Sequence, residues 1–273
     1  MTAVFRGWQK TSLIEYPGKV CSVLFTGGCN LRCPFCFNPD LVLRPATLPA
    51  IPAREVLEWL EARSGLVSAI AVSGGEPTLH PWLDDFLGDA RSRGLCTAVA
   101  TNGTSPERLE SLISAGLVDY VAMDVKNLLE PEPYAAATGT ADLSVAERVC
   151  HSLRILLRSG VDHELRCTVV PALHSSETLL RLASQLRGAK RLVFQEFRAQ
   201  GALDPRYRDL SPFPPAELDL IRDLAAPLVG ECVIRGSERR KMPPQADTGA
   251  LQAFNPKART RRYSVQTRGN VVE

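Results

Sequence analysis

Two periodicities alternate along most of the chain. Short apolar runs rich in β-branched residues, each ending in glycine, threonine or a charged residue, predict buried strands. Longer stretches with apolar residues three and four positions apart predict amphipathic helices. The runs of the first kind begin at Val20, Ser68, Cys96, Asp119, His163 and Arg191, and those of the second kind at Arg54, Trp82, Ser105, Leu143, Ser175 and Pro214.

The alternation predicts an α/β fold. Strand and helix in regular succession indicate a parallel sheet with right-handed crossovers. Continuous apolar strands are typical of a sheet that is covered on both faces. An open doubly wound sheet and a barrel both satisfy the pattern, although no glycine-rich dinucleotide fingerprint follows the first strand, which weakens the Rossmann alternative.

The last part of the chain has a different character. From Ser237 onward there is no sustained period, and eight Lys and Arg stand against three Asp and Glu, a net charge of +5. Residues 1–236 then carry −3 within the total of +2. We therefore expect a folded core domain over residues 1–236 and a disordered basic tail over residues 237–273.

Composition narrows the class further. The chain has 273 residues, of which 45% are hydrophobic and 23% charged, and this excludes a disordered or fibrous protein. No apolar run has transmembrane length and no signal-like stretch begins the chain, so we expect a cytoplasmic protein without a membrane partner. The charge of the body predicts no nucleic-acid partner, and the basic tail leaves that question open.

Three of the eight cysteines lie on one short segment. Cys29, Cys33 and Cys36 follow the first predicted strand with the spacing C-x3-C-x2-C. Three thiolates on a tight loop can hold an iron–sulfur cluster or zinc. Three ligands leave one iron of a four-iron cluster open to a substrate, whereas a structural zinc site needs a fourth ligand that this loop does not supply. The other five cysteines are predicted to pack in the core.

Polar or glycine-rich groups end the other predicted strands as well. The carboxyl ends of parallel strands share one rim, where functional residues collect. We therefore predict a site at this rim, and His174 is the one histidine that we place near it. The groups are SGGEP (Ser73–Pro77), Asn102 in TNG, Asp124 and Lys126 in DVK, Arg166, Gln195 and Glu196.

Simple chemistry suggests roles for several of these groups. Gly74 and Gly75 allow close approach of backbone to a ligand. Lys126 offers a point charge for a carboxylate, Asp124 would orient it, and Arg166 would clamp the same carboxylate with its planar guanidinium. Simpler alternatives stay open: a plain turn for SGGEP and for TNG, a rim salt bridge for DVK, and pairing of Arg166 with Glu164 or another strand.

These motifs resemble those of a known superfamily. CNLRCPFC is similar to the cluster motif of radical S-adenosylmethionine (SAM) proteins, and GWQKTSLIEYPGKVCSVLFTGGCNLRCPFCFNPDLV resembles the start of anaerobic ribonucleoside-triphosphate reductase activating proteins, which are glycyl-radical-enzyme activases. The resemblance runs from Gly7 to Gly236. It implies a partial (β/α)6 TIM-like barrel of the radical SAM type, a 4Fe–4S cluster on the three cysteines, and SAM cleaved to a deoxyadenosyl radical.

The resemblance also implies roles at the rim. SGGEP is similar to the superfamily's element for the SAM ammonium, and D-x-K to an element of the activases. Two departures stand out: Ala100 replaces a common acidic residue, which puts a monovalent cation site in doubt, and Phe37 replaces a common histidine. The cofactor-binding candidates are Gly74, Gly75, Glu76, Pro77, Asn102, Asp124, Lys126 and Arg166, and the metal ligands are Cys29, Cys33 and Cys36.

The resemblance thus implies a radical SAM oxidoreductase that takes a hydrogen atom from a backbone glycine of a partner. The predicted partner is a glycyl-radical enzyme subunit such as an anaerobic ribonucleotide reductase, and the electron donor a flavodoxin or ferredoxin. Two alternatives stay open: a radical SAM enzyme that acts directly on a small molecule or peptide, and a non-catalytic zinc-binding protein.

Overall fold

The computed structural model describes residues 3–236, so the predicted basic tail, residues 237–273, lies outside the described residues. All six predicted strands form, and four further strands accompany them. The strands are β1 (Val4–Phe5), β2 (Gly7–Ser12), β3 (Cys21–Thr26), β4 (Ile51–Pro52), β5 (Ala69–Gly74), β6 (Cys96–Thr101), β7 (Tyr120–Asp124), β8 (Asp162–Val169), β9 (Leu192–Glu196) and β10 (Cys232–Arg235).

All six predicted helices form too, with two additional helices. Ser175 caps one of them as the SSET motif predicts, in a reciprocal capping box with Thr178. The helices are α1 (Pro39–Leu43), α2 (Ala53–Glu61), α3 (Leu83–Ser92), α4 (Pro106–Ser114), α5 (Pro131–Thr138), α6 (Val145–Ser159), α7 (Ser176–Gln185) and α8 (Pro215–Ala225).

Eight strands form one sheet in the order β10-β9-β8-β7-β6-β5-β3-β2. Every neighbouring pair from β3 to β10 is parallel, and β2 is antiparallel to β3 at one edge. The strand order advances in one direction without the reversal that defines a doubly wound sheet. The structure therefore confirms the α/β class and the partial barrel, and the doubly wound alternative is wrong.

The two faces of the sheet differ in side-chain size. Because successive strand residues point to opposite faces, each strand contributes to two layers. One layer carries large aliphatic residues that pack with the helices in the main core. The other layer, the interior face, carries small residues on the central strands, and Tyr16 packs across it against Tyr120. The alanines of this layer are Ala69, Ala71, Ala98 and Ala122.

One expected core position is wrong. The helical period that begins at Arg54 predicts one buried face with Val56, Leu57, Leu60 and Leu66. The first three are buried, but Leu66 is 72% exposed. The reason is local: α2 ends at Glu61, and Gly65 with φ near +87° turns the chain before Leu66. Over residues 3–236, no helix has both the length and the apolar character that crossing a membrane requires.

Candidate functional site

The cysteine loop leaves the carboxyl end of β3 and is packed directly against the SGGEP loop. Gly28 has φ near +85°, its N–H donates to Leu41 O at 2.7 Å, and its carbonyl accepts from Glu76 N at 2.8 Å. A Cβ at Gly75 would lie 1.8 Å from the Gly28 carbonyl oxygen. Glycine is therefore required at position 75 for close approach, and the group that approaches is the backbone of the cysteine loop.

The end of α5 supports the same loop from another side. Arg32 N donates to Thr138 O at 2.9 Å. Gly139 follows in the left-handed conformation, with φ near +62°, and a Cβ there would lie 2.2 Å from the Arg32 carbonyl oxygen. Neither α5 nor this contact was predicted, because nothing in the sequence links residues so far apart.

A third contact comes from the segment after β9. Leu203 N donates to Cys36 O at 2.8 Å, and Asp204 N donates to Pro34 O at 2.9 Å. His80 adds a ring nitrogen 3.0 Å from Gly27 O. The backbone of the cysteine loop is thus fixed by hydrogen bonds from several separate segments.

The three thiols of the loop are all free. Cys33 is buried, and burial raises the pKa of its thiol to about 12, although the nearby Lys126 ammonium opposes this. Burial also raises the pKa of Cys29. Between residues 3 and 236, no three His, Cys, Asp or Glu side chains are grouped tightly enough for a single metal ion. A four-iron cluster binds each thiolate to a different iron and so takes ligands that are spaced more widely.

Asn102 faces the cysteine loop. Its Nδ2 donates to Asn30 Oδ1 at 2.9 Å and lies 3.8 Å from the Cys29 sulfur. Its Oδ1 accepts from the Thr104 hydroxyl at 2.6 Å, and Asn30 Nδ2 donates to the same hydroxyl at 2.8 Å. The closed arrangement aims an amide N–H at a cysteine sulfur, a contact that stabilises the thiolate form of a ligand.

Glu76 lies inside the protein with no exposed surface. Its Oε1 accepts from the hydroxyls of Thr78 and Thr101 at 2.6 and 2.7 Å, and Oε2 accepts from Asn102 N at 2.7 Å. Burial raises the pKa of this carboxyl, and the hydrogen bonds oppose that effect. The carboxylate therefore joins the SGGEP loop to the end of β6.

Asp124, Lys126 and Arg166 form one largely buried ionic cluster at the rim. Lys126 Nζ lies 2.8 Å from Asp124 Oδ2, and Arg166 Nε donates to Asp124 Oδ1 at 2.7 Å. Burial disfavours the charge on Asp124, but the two cations outweigh it and hold the pKa of Asp124 at about 2. Burial likewise opposes the charge on Lys126, and Asp124 raises the pKa of Lys126 above its ordinary value. Arg166 also reaches Glu15 at 3.5 Å.

Of the expected alternatives for Arg166, pairing with Glu164 is wrong, and pairing with another strand is confirmed by its contact with Asp124 of β7. Glu164 instead receives both terminal nitrogens of Arg235, at 2.9 and 3.0 Å. Residues 164 and 166 face the same side of β8, but Arg166 lies opposite Asp124 in the register of β7 and β8. Arg166 therefore pairs across strands at the rim.

His174 is buried beneath this ionic cluster and contacts the backbone of Lys126, with its Nε2 3.1 Å from Lys126 O.

The remaining cysteines and the two positions that depart from the family pattern, Phe37 and Ala100, differ in their exposure. Cys21 and Cys167 are buried, and Cys96, Cys150 and Cys232 are partly buried. Phe37 is 59% exposed beside the cysteine loop, and Ala100 packs at the interior face of β6.

A surface groove lies elsewhere on the protein. It has a volume of about 560 Å³ between α4 and α6 and is lined by residues such as Arg154 and Arg158. None of the residues predicted for the site lines it. The chemistry of the rim comes from side chains fixed by hydrogen bonds rather than from this groove.

Known proteins similar to this chain point to the same class of iron–sulfur protein as the cysteine loop does. The family model of the radical SAM superfamily matches residues 23–182. A "putative glycyl-radical enzyme activating enzyme" of Methanocaldococcus jannaschii is 28% identical over 236 residues, which cover 86% of this chain and 97% of that protein. The pyruvate formate-lyase-activating enzyme of Clostridium pasteurianum is 29% identical over 190 residues, covering 67% of this chain and 75% of that enzyme.

Among solved structures, SuiB of Streptococcus suis bound to its precursor peptide SuiA superposes with a TM-score of 0.62 at 16% identity. The match covers 79% of this chain and 48% of SuiB, so this chain spans about half the length of that protein. At this identity the likeness concerns the fold alone.

The parallel partial barrel with a cysteine loop at its rim defines the class of iron–sulfur enzymes that use SAM. This chain belongs to the radical SAM superfamily, whose cofactors are a 4Fe–4S cluster and SAM. The donor set fits such a cluster, since it offers three free thiols on one loop that hydrogen bonds hold in place. The radical SAM fold expected from the resemblance is confirmed.

Proposed function

We propose that this protein generates a glycyl radical on a partner enzyme, in the manner of the activating enzymes that it resembles. The observation that carries the proposal is the match to the putative activating enzyme of M. jannaschii, which extends over nearly the whole of that protein. The similarity to the pyruvate formate-lyase-activating enzyme and the buried D-x-K pair of Asp124 and Lys126 support it.

When bound, the cluster and SAM supply the reaction chemistry. One electron and one SAM give methionine and 5′-deoxyadenosine, and the hydrogen atom comes from the Cα of a glycine in the partner, which becomes the radical. Cofactors carry the difficult chemistry, while the protein supplies binding, orientation and electrostatics. The residues of this chain would therefore bind and orient the cofactors and provide the electrostatic environment.

The residues of the rim would bind different parts of the two cofactors. Cys29, Cys33 and Cys36 would hold the cluster. The loop of Gly74, Gly75, Glu76 and Pro77 would receive the SAM ammonium through its backbone carbonyls, because the Glu76 carboxylate already accepts several hydrogen bonds within the protein. Among the remaining candidates, Lys126 and Arg166 would bind the carboxylate that SAM carries beside its ammonium, Asp124 would orient these two cations, and Asn102 would hydrogen-bond the carboxylate or the ribose.

The positive side of the ionic cluster suits the SAM carboxylate. Lys126 and Arg166 carry two positive charges against the single charge of Asp124, and a second carboxylate near them, Glu15, lies farther away at 3.5 Å from Arg166. Because these groups are largely buried, a carboxylate that reaches them is attracted more strongly than at an exposed surface. Asp124 then serves to orient both cations.

The proposed partner is an anaerobic ribonucleotide reductase or a related glycyl-radical enzyme, and a flavodoxin or ferredoxin would supply the electron. Residues 1–236 would form the catalytic domain, with residues 237–273 as an appended basic tail. The proposed location is the cytoplasm, where a reducing environment keeps thiols and cluster intact.

The proposal is tested by electron paramagnetic resonance (EPR) after anaerobic incubation of the reduced protein with SAM and a candidate partner. The expected result is a glycyl-radical doublet on the partner. Cleavage of SAM without a radical on any candidate would favour direct action on a small molecule or peptide. Zinc in place of iron and sulfide in the anaerobically purified protein would favour the metal-binding alternative.

A further inference from the structure

His174 occupies a position that the chemistry of the cofactors does not by itself explain. It lies in the turn after β8, its side chain is 6% exposed, and its ring nitrogens both face backbone groups. Val170 N donates to Nδ1 at 3.0 Å, and Nε2 lies 3.1 Å from Lys126 O. A backbone N–H can only donate, so Nδ1 is the acceptor, the proton is on Nε2, and Nε2 donates to the Lys126 carbonyl.

The backbone of Lys126 needs this support because the sheet ends there. The last ladder contact of the segment is Val125 N to Arg166 O at 2.8 Å. Beyond it, Asn127 Nδ2 donates to Leu173 O at 3.3 Å. The turn that contains His174 therefore holds the segment after β7 through two adjacent hydrogen bonds, at the Lys126 carbonyl and at the Asn127 side chain. On the other side of the Lys126 Cα, Lys126 N donates to Tyr134 Oη at 3.3 Å.

The Nε2–H of His174 is present across the neutral pH range. Burial lowers the pKa of His174 to about 4, and the two backbone contacts oppose this only in part. The imidazole is therefore neutral near pH 7. Its Nε2 also lies 3.9 Å from the sulfur of Cys167, whose pKa burial raises to about 12, and the shorter contact of 3.1 Å directs the proton to Lys126 O. A neutral ring also adds no positive charge beside the ionic cluster.

We infer that His174 is a positioning residue: its Nε2–H holds the Lys126 carbonyl and thereby sets the place of the Lys126 ammonium, which binds the carboxylate of SAM. The inference rests on the function proposed above for Lys126. Displacement of a binding group by a fraction of an ångström to one ångström is enough to lower affinity or rate by a large factor. His174 itself touches neither cofactor in this assignment.

The chain contains a matched control. His163 is also buried, at 4% exposed, and it bridges two backbone groups, with Nδ1 3.0 Å from Val161 O and Nε2 accepting from Lys190 N at 3.3 Å. It lies at the opposite end of β8, away from the rim. A merely structural histidine should behave like His163.

The test compares His174→Phe, His174→Gln and His163→Phe in the full chain with its cluster reconstituted. Three quantities are measured: the iron content, the midpoint of thermal unfolding and the dissociation constant of SAM by equilibrium dialysis. We expect His174→Phe to weaken SAM binding on the order of tenfold at unchanged iron content, and His163→Phe to lower the unfolding midpoint without that loss. His174→Gln, whose amide can both accept and donate, should restore part of the affinity.

Equal SAM affinity in the wild type, His174→Phe and His163→Phe would overturn the inference. If His174→Phe does not fold, the decision passes to His174→Met, which fills the same space without an N–H donor, and wild-type SAM affinity in His174→Met would overturn the inference. Lys126→Met separates the two proposals. If Lys126→Met loses SAM affinity and His174→Phe does not, Lys126 binds SAM but His174 does not position it. If Lys126→Met keeps full affinity, neither role is correct.

Discussion

At the scale of the residue, charge is placed close to the thiols of the cysteine loop. The largely buried Lys126 ammonium is paired with Asp124 and acts on Cys33 strongly enough to oppose the effect of burial on its pKa. Cations lie near other cysteines as well, since Lys126 also acts on the buried Cys167 and Arg154 donates to the Cys150 sulfur at 3.4 Å. The three thiols of the loop differ from the other five cysteines because they share one short segment that hydrogen bonds from several elements hold in place.

This contrast predicts how the cysteines divide. Replacing Cys33 by alanine removes one of three ligands, and we expect the variant to lose its cluster, because two thiolates from one loop do not hold four irons. Replacing Cys150 by alanine should leave iron and sulfide at the wild-type level. Iron and acid-labile sulfide are measured after anaerobic reconstitution, and an equal loss in both variants would contradict the assignment of ligands.

His174 also predicts a dependence of stability on pH. Its pKa is near 6.5 in the unfolded chain and about 4 in the folded one, so between these values the unfolded state binds more protons. The neutral ring therefore adds to the free energy of unfolding, on the order of 3 kcal/mol in total. This contribution is fully present above about pH 6.5 and is lost as the pH falls toward about 4.

Urea unfolding of the wild type and of His174→Phe at about pH 7 and about pH 5 checks this expectation. The wild type should lose more stability than the variant over the interval. The charged neighbours do not titrate there, since the pKa of Asp124 is about 2 and the pKa values of Lys126 and Arg166 lie above their ordinary values. An equal loss in both proteins would show that His174 does not titrate as described.

Several residues at this scale were within reach of the sequence. The cysteine spacing predicted the loop, and DVK predicted the Asp124–Lys126 pair. The contact of His174 with Lys126 and the closed set of Asn30, Asn102 and Thr104 were not predictable, because they depend on the register and approach of separate strand ends. Local pattern carries no information about which side chains meet across such ends.

At the scale of the element, prediction succeeded where burial was continuous. The six central strands are buried over most of their length, whereas the edge strand β2 has an exposed middle and β10 has only four residues. Helix α5 was missed for a different reason. Its sequence PEPYAAAT contains two prolines and has no amphipathic period, and Tyr134 and Ala137 are buried by tertiary packing.

The C-terminus of α5 gives a prediction at this scale. In Gly139→Ala the new Cβ meets the Arg32 carbonyl at 2.2 Å, and the residue keeps a left-handed φ near +62°. Gly116→Ala is the control, because its φ is near +64° and nothing lies within 4 Å of the added Cβ. Both should lose about 1 kcal/mol from the backbone conformation, and Gly139→Ala should lose more and also displace the cysteine loop.

We therefore expect Gly139→Ala to retain less iron than Gly116→Ala after identical reconstitution. Urea unfolding gives the free energies, and iron analysis gives the cluster content. Equal iron in the two variants would mean that the contact between α5 and Arg32 does not position the cysteine loop.

At the scale of the whole molecule, one topological feature organises the site. Because the parallel strands follow one another in a single direction around the sheet, their carboxyl ends meet at one rim, and the cysteine loop, the SGGEP loop, Asn102 and the ionic cluster lie along it. The alternation of strands and helices in the sequence predicted that these loops and side chains would meet at one rim. The antiparallel β2 at the edge and the alanine-lined interior face became evident only from the structure.

The interior face is consistent with a substrate that enters as a loop of polypeptide. Alanines of the central strands line much of this face beside Tyr16 and Tyr120, and the sheet ends in β2 at one edge and β10 at the other without pairing between them among residues 3–236. A glycine offers no side chain to exclude from such a space. The fate of one glycine hydrogen atom is therefore the central question for the proposed function.

That question has a direct measurement. An anaerobic ribonucleotide reductase labelled with α-deuterated glycine is incubated with the reduced protein and SAM, and the 5′-deoxyadenosine is analysed by mass spectrometry. The account predicts 5′-deoxyadenosine that carries deuterium, formed together with a glycyl radical on the partner. Cleavage of SAM that yields only unlabelled 5′-deoxyadenosine, with no radical on the partner, would contradict it.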